Sequence, residues 1–64
     1  MSDSLAIYTY TKIALIKAVD PELAARLRRK YSDARTRGGR AEQRIGEQIE
    51  DLCTRLRREG KIAP

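Results

Sequence analysis

The sequence predicts a small, mostly helical domain of two or three helices, with residues 1–64 forming a single unit. Three observations support this. Apolar residues recur at helical spacing after residue 40, residues 20–22 (Asp-Pro-Glu) are a helix-start signal, and the Gly-Gly pair at 38–39 separates two helical patterns. The core is expected to be thin, because a chain of 64 residues without Phe or Trp has little apolar surface to bury.

The first segment, residues 5–19, is compatible with two structures. Tyr, Thr and Ile favour a strand over residues 7–11, whereas the length of the apolar stretch favours a helix. We expect a helix, mainly over residues 12–19, and keep a strand as the alternative for this N-terminal segment. The two ends of the chain, residues 1–6 and 61–64, are expected to be flexible.

The second segment begins with a complete start signal and is predicted to be helical over about residues 21–36. Asp20 can accept hydrogen bonds from the first amides, Pro21 suits the first helical position, and Glu22 favours the positive end of the helix dipole. An apolar residue then recurs every four positions, which predicts one buried stripe made of Leu23, Leu27 and Tyr31.

The third segment has the clearest helical periodicity and is predicted to be a helix over about residues 40–59. We expect Ile49 and Leu52 at the centre of the packing, since both lie in the middle of the stripe. Gly46 lowers helix stability by about 1 kcal/mol relative to Ala, and close packing of two helices is one reason for a glycine there. The predicted stripe consists of Ala41, Ile45, Ile49, Leu52 and Leu56.

Most of the net charge lies in the middle of the chain. Residues 26–44 hold eight Lys or Arg and two acids, whereas the whole chain has a net charge of +5. Arginine offers a rigid fork of donors that suits phosphate and carboxylate groups. Crowded like charges do not stabilise a fold, so this segment predicts an anionic partner. The residues predicted to contact nucleic acid or another partner are Arg28, Arg29, Arg35, Arg37, Arg40 and Arg44.

The composition argues against an enzyme and against a metal or organic cofactor. Histidine, the commonest general base and metal ligand, is absent, and a single cysteine cannot make a zinc site. Cys53 is expected to be a small buried apolar residue. A lone thiol fits a reducing cytoplasm, and we expect a cytoplasmic protein without a signal peptide or a membrane span.

The favoured function is a small, basic, non-enzymatic regulator of transcription or another nucleic-acid process, which binds DNA or RNA through the Arg-rich segment. The alternative is a phage- or plasmid-type inhibitor that binds an acidic surface of a host protein such as RNA polymerase or a defence complex. The remaining interpretation of the arginines is a solvated charged face, which is common on any amphipathic helix. Tyr8 and Tyr10 are candidates for an N-terminal partner contact. The sequence leaves open whether the chain forms a homodimer or a loosely packed monomer.

Three motifs point to a known family. They are the helix start VDPELAARL, the glycine-containing turn RGGRAEQ and the closing segment IEDLCTRLRREGKI. With these motifs, residues 19–62 resemble ribbon-helix-helix repressors. The resemblance implies a dimer in which each chain contributes one strand to an antiparallel ribbon that enters the DNA major groove. Residues 12–19 would form that strand, although neither of its two faces is mainly polar in this sequence.

Overall fold

The computed structural model describes residues 3–63, and the side chains from residue 6 to residue 63. The chain forms three helices, α1 (Asp3–Lys17), α2 (Pro21–Arg37) and α3 (Arg40–Arg58). Every helix contacts both others, so the three form a triangular bundle that measures 33 × 22 × 16 Å. This confirms the prediction of a small, mostly helical domain.

The first segment is helical, and the described residues contain no strand. Residues 12–17 belong to α1 and residues 18–19 to the turn that follows it. The strand and the ribbon-helix-helix alternatives are therefore not supported, because no strand is available for a ribbon. Burial explains the outcome: the buried residues recur three or four positions apart, which only a helix places on one face. These residues are Ala6, Thr9, Ile13 and Ile16, and Lys12, three residues after Thr9 and four before Ile16, is buried on the same side.

The structure describes part of each of the two ends that were expected to be flexible. Residues from Asp3 onward are helical, and Ile62 is buried against the core. The turn at Gly60, whose φ is 75°, brings the C-terminal segment back, and the Arg57 side chain donates from Nε to the Ala63 carbonyl at 3.4 Å. Residues 1, 2 and 64 lie outside the described residues. Flexibility at either end stays a prediction.

The second helix begins and ends as the sequence predicts, within one residue. Asp20 accepts a hydrogen bond from the Leu23 amide at 3.1 Å, and Pro21 occupies the first turn. At the other end, the Gly38 amide donates to the Ala34 carbonyl at 2.8 Å. Gly38 has a φ of 74°, a conformation that strongly favours glycine. Local capping therefore sets the limits of α2.

The Asp20 cap gives a first testable prediction. We expect Asp20→Ala to lower the free energy of unfolding by about 1 kcal/mol, because the Leu23 amide loses its acceptor. Urea unfolding followed by far-UV circular dichroism measures this. Asp20→Asn is the matched control, since it keeps a side-chain oxygen and should lose much less. Equal stability of the Ala variant and the parent would contradict the role of the cap.

The third helix is buried on a slightly different face from the predicted stripe. Ile49, Cys53 and Leu56 are buried, with Ile49 and Cys53 fully inaccessible, whereas Leu52 and Ile45 are only half-buried. The expectation for Ile49 is confirmed, and Cys53 takes the central place expected of Leu52. The Cys53 Sγ lies 3.5 Å from the Lys12 carbonyl oxygen, so α3 comes close to the backbone of α1 at this position. A small side chain fits there. No atom of the fold approaches the position of a Cβ on Gly46, so that glycine is not explained by close helix packing.

Candidate nucleic-acid interface

A groove between α2 and α3 brings together four cationic side chains. Both helices contribute residues three, four or seven positions apart, a spacing that puts them on the faces that meet at the groove. The groove has a volume of about 410 Å³. We call it the α2–α3 groove, and it is lined by Lys30, Asp33, Ala34, Arg37, Arg40, Ala41, Arg44 and Ile45.

The α2–α3 groove has a strong positive balance, because Asp33 is the one acid among its lining residues. Arg37 donates to the Asp33 carboxylate at 3.2 Å, but the two side chains are 73% and 64% exposed. An exposed pair of this kind is weak, so it leaves the Arg37 guanidinium available to a partner. Lys30, Arg40 and Arg44 are exposed and form no ion pair with any residue whose side chain is described.

The start of α3 adds to the positive character of this groove. The turn consists of Gly38 and Gly39, with φ values of 74° and 61°, so both residues have a backbone that strongly favours glycine. Gly39 precedes the helix and has no side chain, and no side chain caps the first amides of α3. Amides at a helix start attract anions. They lie directly beside Arg40 and Arg44, which belong to the first two turns.

Two of the predicted arginines lie on another surface. Arg28 and Arg29 line a larger groove, of about 840 Å³, between α1 and α2. Lys17 at the end of α1 lines the same groove, together with Asp33. The structure therefore divides the predicted set. Arg37, Arg40 and Arg44 are brought together with Lys30, whereas Arg28 and Arg29 form a second basic surface with Lys17.

Arg35 occupies a third position and is held by other side chains. Its Nε lies 3.8 Å from Oε2 of Glu42, and the Tyr31 hydroxyl donates to the same oxygen at 3.3 Å. A side-chain hydrogen bond with Tyr10 raises the pKa of Arg35 above its ordinary value. These contacts connect all three helices. Arg35 lines neither of the two basic grooves. Its contacts instead link the three helices to one another.

Lys30 belongs to the α2–α3 groove, although it is not among the residues predicted to bind a partner. Lys30 lies seven residues before Arg37, so one helix places both on the same side. That spacing was the available signal, and the run of arginines around it obscured it. In contrast, the separation of Arg28 and Arg29 from Arg37 is decided by which neighbouring helix each side of α2 faces.

The two N-terminal tyrosines also lie in different surroundings. Tyr8 is 52% exposed, and the Lys12 ammonium lies 4.6 Å from the centre of its ring. Tyr10 is half-buried, and its ring meets that of Tyr31 edge to face, with 5.2 Å between ring centres. Tyr8 is therefore accessible to a partner, whereas Tyr10 mainly supports the packing of α1 on α2.

Cys53 has the properties of a core residue. Its thiol is buried and donates to the Lys12 carbonyl oxygen at 3.5 Å. Burial raises the pKa of the Cys53 thiol, which keeps it protonated and a poor nucleophile.

Among residues 3–63, no three acidic, cysteine or histidine side chains are grouped as metal ligands would be. Within the same part of the chain, no helix is long and apolar enough to cross a membrane.

The α2–α3 groove is chemically suited to phosphate. Arginine forks and a lysine ammonium donate hydrogen bonds to phosphate oxygens, and the first amides of α3 can donate to the same group. No family model, curated protein or solved structure matches this chain.

Proposed function

We propose that this chain is a small, basic, non-enzymatic regulator of transcription or another nucleic-acid process, and that it binds DNA or RNA. The observation that supports this proposal best is the α2–α3 groove. Lys30, Arg37, Arg40 and Arg44 line it together with a single acid. Four neighbouring cations in one concave surface match the closely spaced phosphates of a nucleic-acid backbone.

The cations of the groove suit the phosphate backbone of any sequence. Its lining offers no Asn or Gln for an adenine edge, and although an arginine fork can also bind the edge of a guanine, each cation finds a phosphate whatever the sequence is. Phosphate contacts fix the position of a protein on nucleic acid but carry no sequence information by themselves. We therefore expect salt-sensitive binding with little preference for sequence. Arg28, Arg29 and Lys17 would extend the contact to phosphates on the other side of α2.

A host-protein inhibitor of the phage or plasmid type is the second candidate, because an acidic protein surface attracts the same guanidinium groups. The two candidates differ in what the arginines would do. When the arginines bind nucleic acid, they displace counterions, so the affinity falls as salt rises and does so for nearly every sequence. Against one protein, they select a partner and set its association or dissociation rate.

The test is a titration of labelled duplex DNA and hairpin RNA by fluorescence anisotropy at low and moderate salt. We expect the parent to bind both. The variant Arg37→Ala/Arg40→Ala/Arg44→Ala should bind more weakly. On duplex DNA, the slope of log K against log salt should become shallower by about 0.9 for each phosphate that the variant no longer neutralises. Nearly equal effects on different sequences are expected.

The matched control is Arg26→Ala/Arg55→Ala/Arg58→Ala. It removes the same charge from exposed positions that do not line the α2–α3 groove. A smaller loss of affinity in the control than in the groove variant supports the groove. An equal loss in both would mean that net charge alone drives binding. If the parent fails to bind either nucleic acid at low salt, the proposal fails and the protein inhibitor becomes the better account.

A further inference from the structure

The charge of this molecule is distributed unevenly around the bundle. Cations outnumber acids in the α2–α3 groove and also in the groove between α1 and α2, which we call the α1–α2 groove. The charged residues that line the α1–α2 groove are Lys17, Arg28, Arg29 and Asp33. The groove between α1 and α3 has the opposite balance, and its charged lining residues are Lys12, Glu42, Glu47 and Glu50. The two basic grooves therefore flank α2, and the acidic groove lies on the far side of the bundle.

The two basic grooves meet on the outer face of α2. Asp33 lines both of them. Arg29, Asp33 and Thr36 recur four and three residues apart, so they follow one face of the helix, and we call these three residues the α2 ridge. The ridge points away from the core, because Ala24 and Tyr31 are buried on the opposite side of α2. One ligand that covers the ridge can therefore contact both basic grooves.

We propose that α2 enters the major groove of duplex DNA, with the α2 ridge towards the base edges and one phosphate backbone beside each basic groove. This inference rests on the proposed function and specifies its ligand. An α-helix with its side chains is about 10–12 Å across, and the major groove of B-DNA is about 12 Å wide. Cations on the two sides of α2 are therefore about as far apart as the two backbones that border the major groove.

The position of Asp33 favours a duplex over a single strand. Asp33 is the one acid that lines either basic groove, and it lies between the two sets of cations. A carboxylate repels phosphate, so a backbone that crossed the ridge would meet it unfavourably. A base edge suits it better, since a carboxylate accepts a hydrogen bond from the amino group of cytosine. Its exposed pair with Arg37 is weak enough to be exchanged for that contact.

Short side chains on the outer side of α2 allow it to approach the bases closely. Ser32 and Thr36 are exposed between the cations of the two grooves. The Thr36 hydroxyl donates to the Ser32 carbonyl at 3.3 Å, so its polar group is satisfied within the helix. The longer cationic side chains lie to either side, where the backbones would be. Entry of α2 also turns the acidic groove between α1 and α3 away from the phosphates.

The same geometry distinguishes DNA from RNA. The major groove of A-form RNA is deep and narrow, so side chains on a helix do not reach into it. The cations of both basic grooves still attract RNA phosphates, which gives binding at low salt. Duplex DNA should therefore bind more tightly than duplex RNA of the same sequence.

Fluorescence anisotropy with three labelled duplexes of one sequence tests the entry of α2. The first is DNA, the second is RNA, and the third is DNA in which glucosylated 5-hydroxymethylcytosine replaces cytosine. The sugar fills the major groove and leaves the phosphates unchanged. We expect the full-length parent to bind the RNA and the modified DNA several-fold more weakly than the unmodified DNA. Equal affinity for modified and unmodified DNA would overturn the inference and leave the proposed function intact, whereas binding to none of the three would remove both.

Two matched threonine variants test the ridge itself. Thr36→Phe adds a bulky uncharged side chain to the α2 ridge. Thr54→Phe adds the same side chain at an exposed position of α3 that lines neither basic groove. We expect Thr36→Phe to bind unmodified DNA several-fold more weakly and Thr54→Phe to bind it like the parent. Far-UV circular dichroism verifies that both remain helical, and equal affinities of the two variants would contradict the entry of α2.

The second backbone is tested on the α1 side of α2. Lys17→Ala/Arg28→Ala removes two exposed cations from the α1–α2 groove and leaves the α2–α3 groove unchanged. On duplex DNA, the slope of log K against log salt should become shallower by about 0.9 for each phosphate that the variant no longer neutralises. An unchanged slope would mean that only the backbone beside the α2–α3 groove is bound, and it would overturn the arrangement with α2 between two backbones.

Discussion

We expect Tyr31→Ala to abolish most of the stability of this domain. Tyr31 is 1% exposed and is the largest fully buried side chain among the described residues. Its ring contacts Tyr10, and its hydroxyl donates to the Glu42 carboxylate, so it connects α2 with both other helices. Truncation of a buried aromatic residue to Ala lowers stability by about 3–5 kcal/mol. A domain of this length has a total of only about 3–10 kcal/mol.

Thermal and urea unfolding, followed by far-UV circular dichroism, measure this effect. Tyr31→Phe is the matched control, because it keeps the ring and loses only the 3.3 Å hydrogen bond to Glu42. We expect about 1 kcal/mol for the loss of that bond. All variants are compared at one protein concentration, because association of copies would make stability depend on concentration. Equal destabilisation by Phe and Ala would show that the hydrogen bond, and not the packing, is the main contribution.

The second large effect is expected at Ile49, and it tests which face of α3 is buried. Ile49 is fully inaccessible and lies in the core cluster with Ile16 and Cys53. We expect Ile49→Ala to lower the free energy of unfolding by about 2–5 kcal/mol. Leu52→Ala removes a side chain of the same size from a half-buried position, so its effect should be clearly smaller.

The same unfolding measurements decide between the two faces. A larger loss for Ile49→Ala than for Leu52→Ala agrees with the buried face of Ile49, Cys53 and Leu56. The reverse order would mean that α3 is rotated about its axis towards the stripe predicted from the sequence. Cys53→Ala completes the series and should cost less than Ile49→Ala, because the thiol is smaller.

The limits of α2 show how far local sequence determines this fold. Asp20, Pro21 and the pair Gly38-Gly39 act through their own backbone and nearest amides, so their effect is visible without knowledge of the neighbours. The periodic apolar residues of α3 likewise predicted a helix of nearly the observed length. Local signals therefore predicted α2 and α3, but they left α1 open between helix and strand.

The candidate site was predicted only in part. Each of the six predicted arginines is exposed, as a charged residue on a helix should be. Their grouping did not follow from the sequence. Residues 28 and 29 face the groove beside α1, Arg35 is held by Glu42, and Arg37 joins Lys30 on the side of α3. Adjacent positions on a helix point in different directions, so a run of arginines in sequence is not one surface.

Local sequence is enough to predict the helical class, the caps of α2, the glycine turn and the positive charge of the middle segment. Each of these depends on residues that are close along the chain. The packing of the three helices adds that residues 7–11 are helical as well, that Cys53 and not Leu52 is central, and which cations share a groove. These features depend on which side of each helix meets another helix. That choice is made by the packing of all three helices together, because burial of apolar surface outweighs the small differences in local preference.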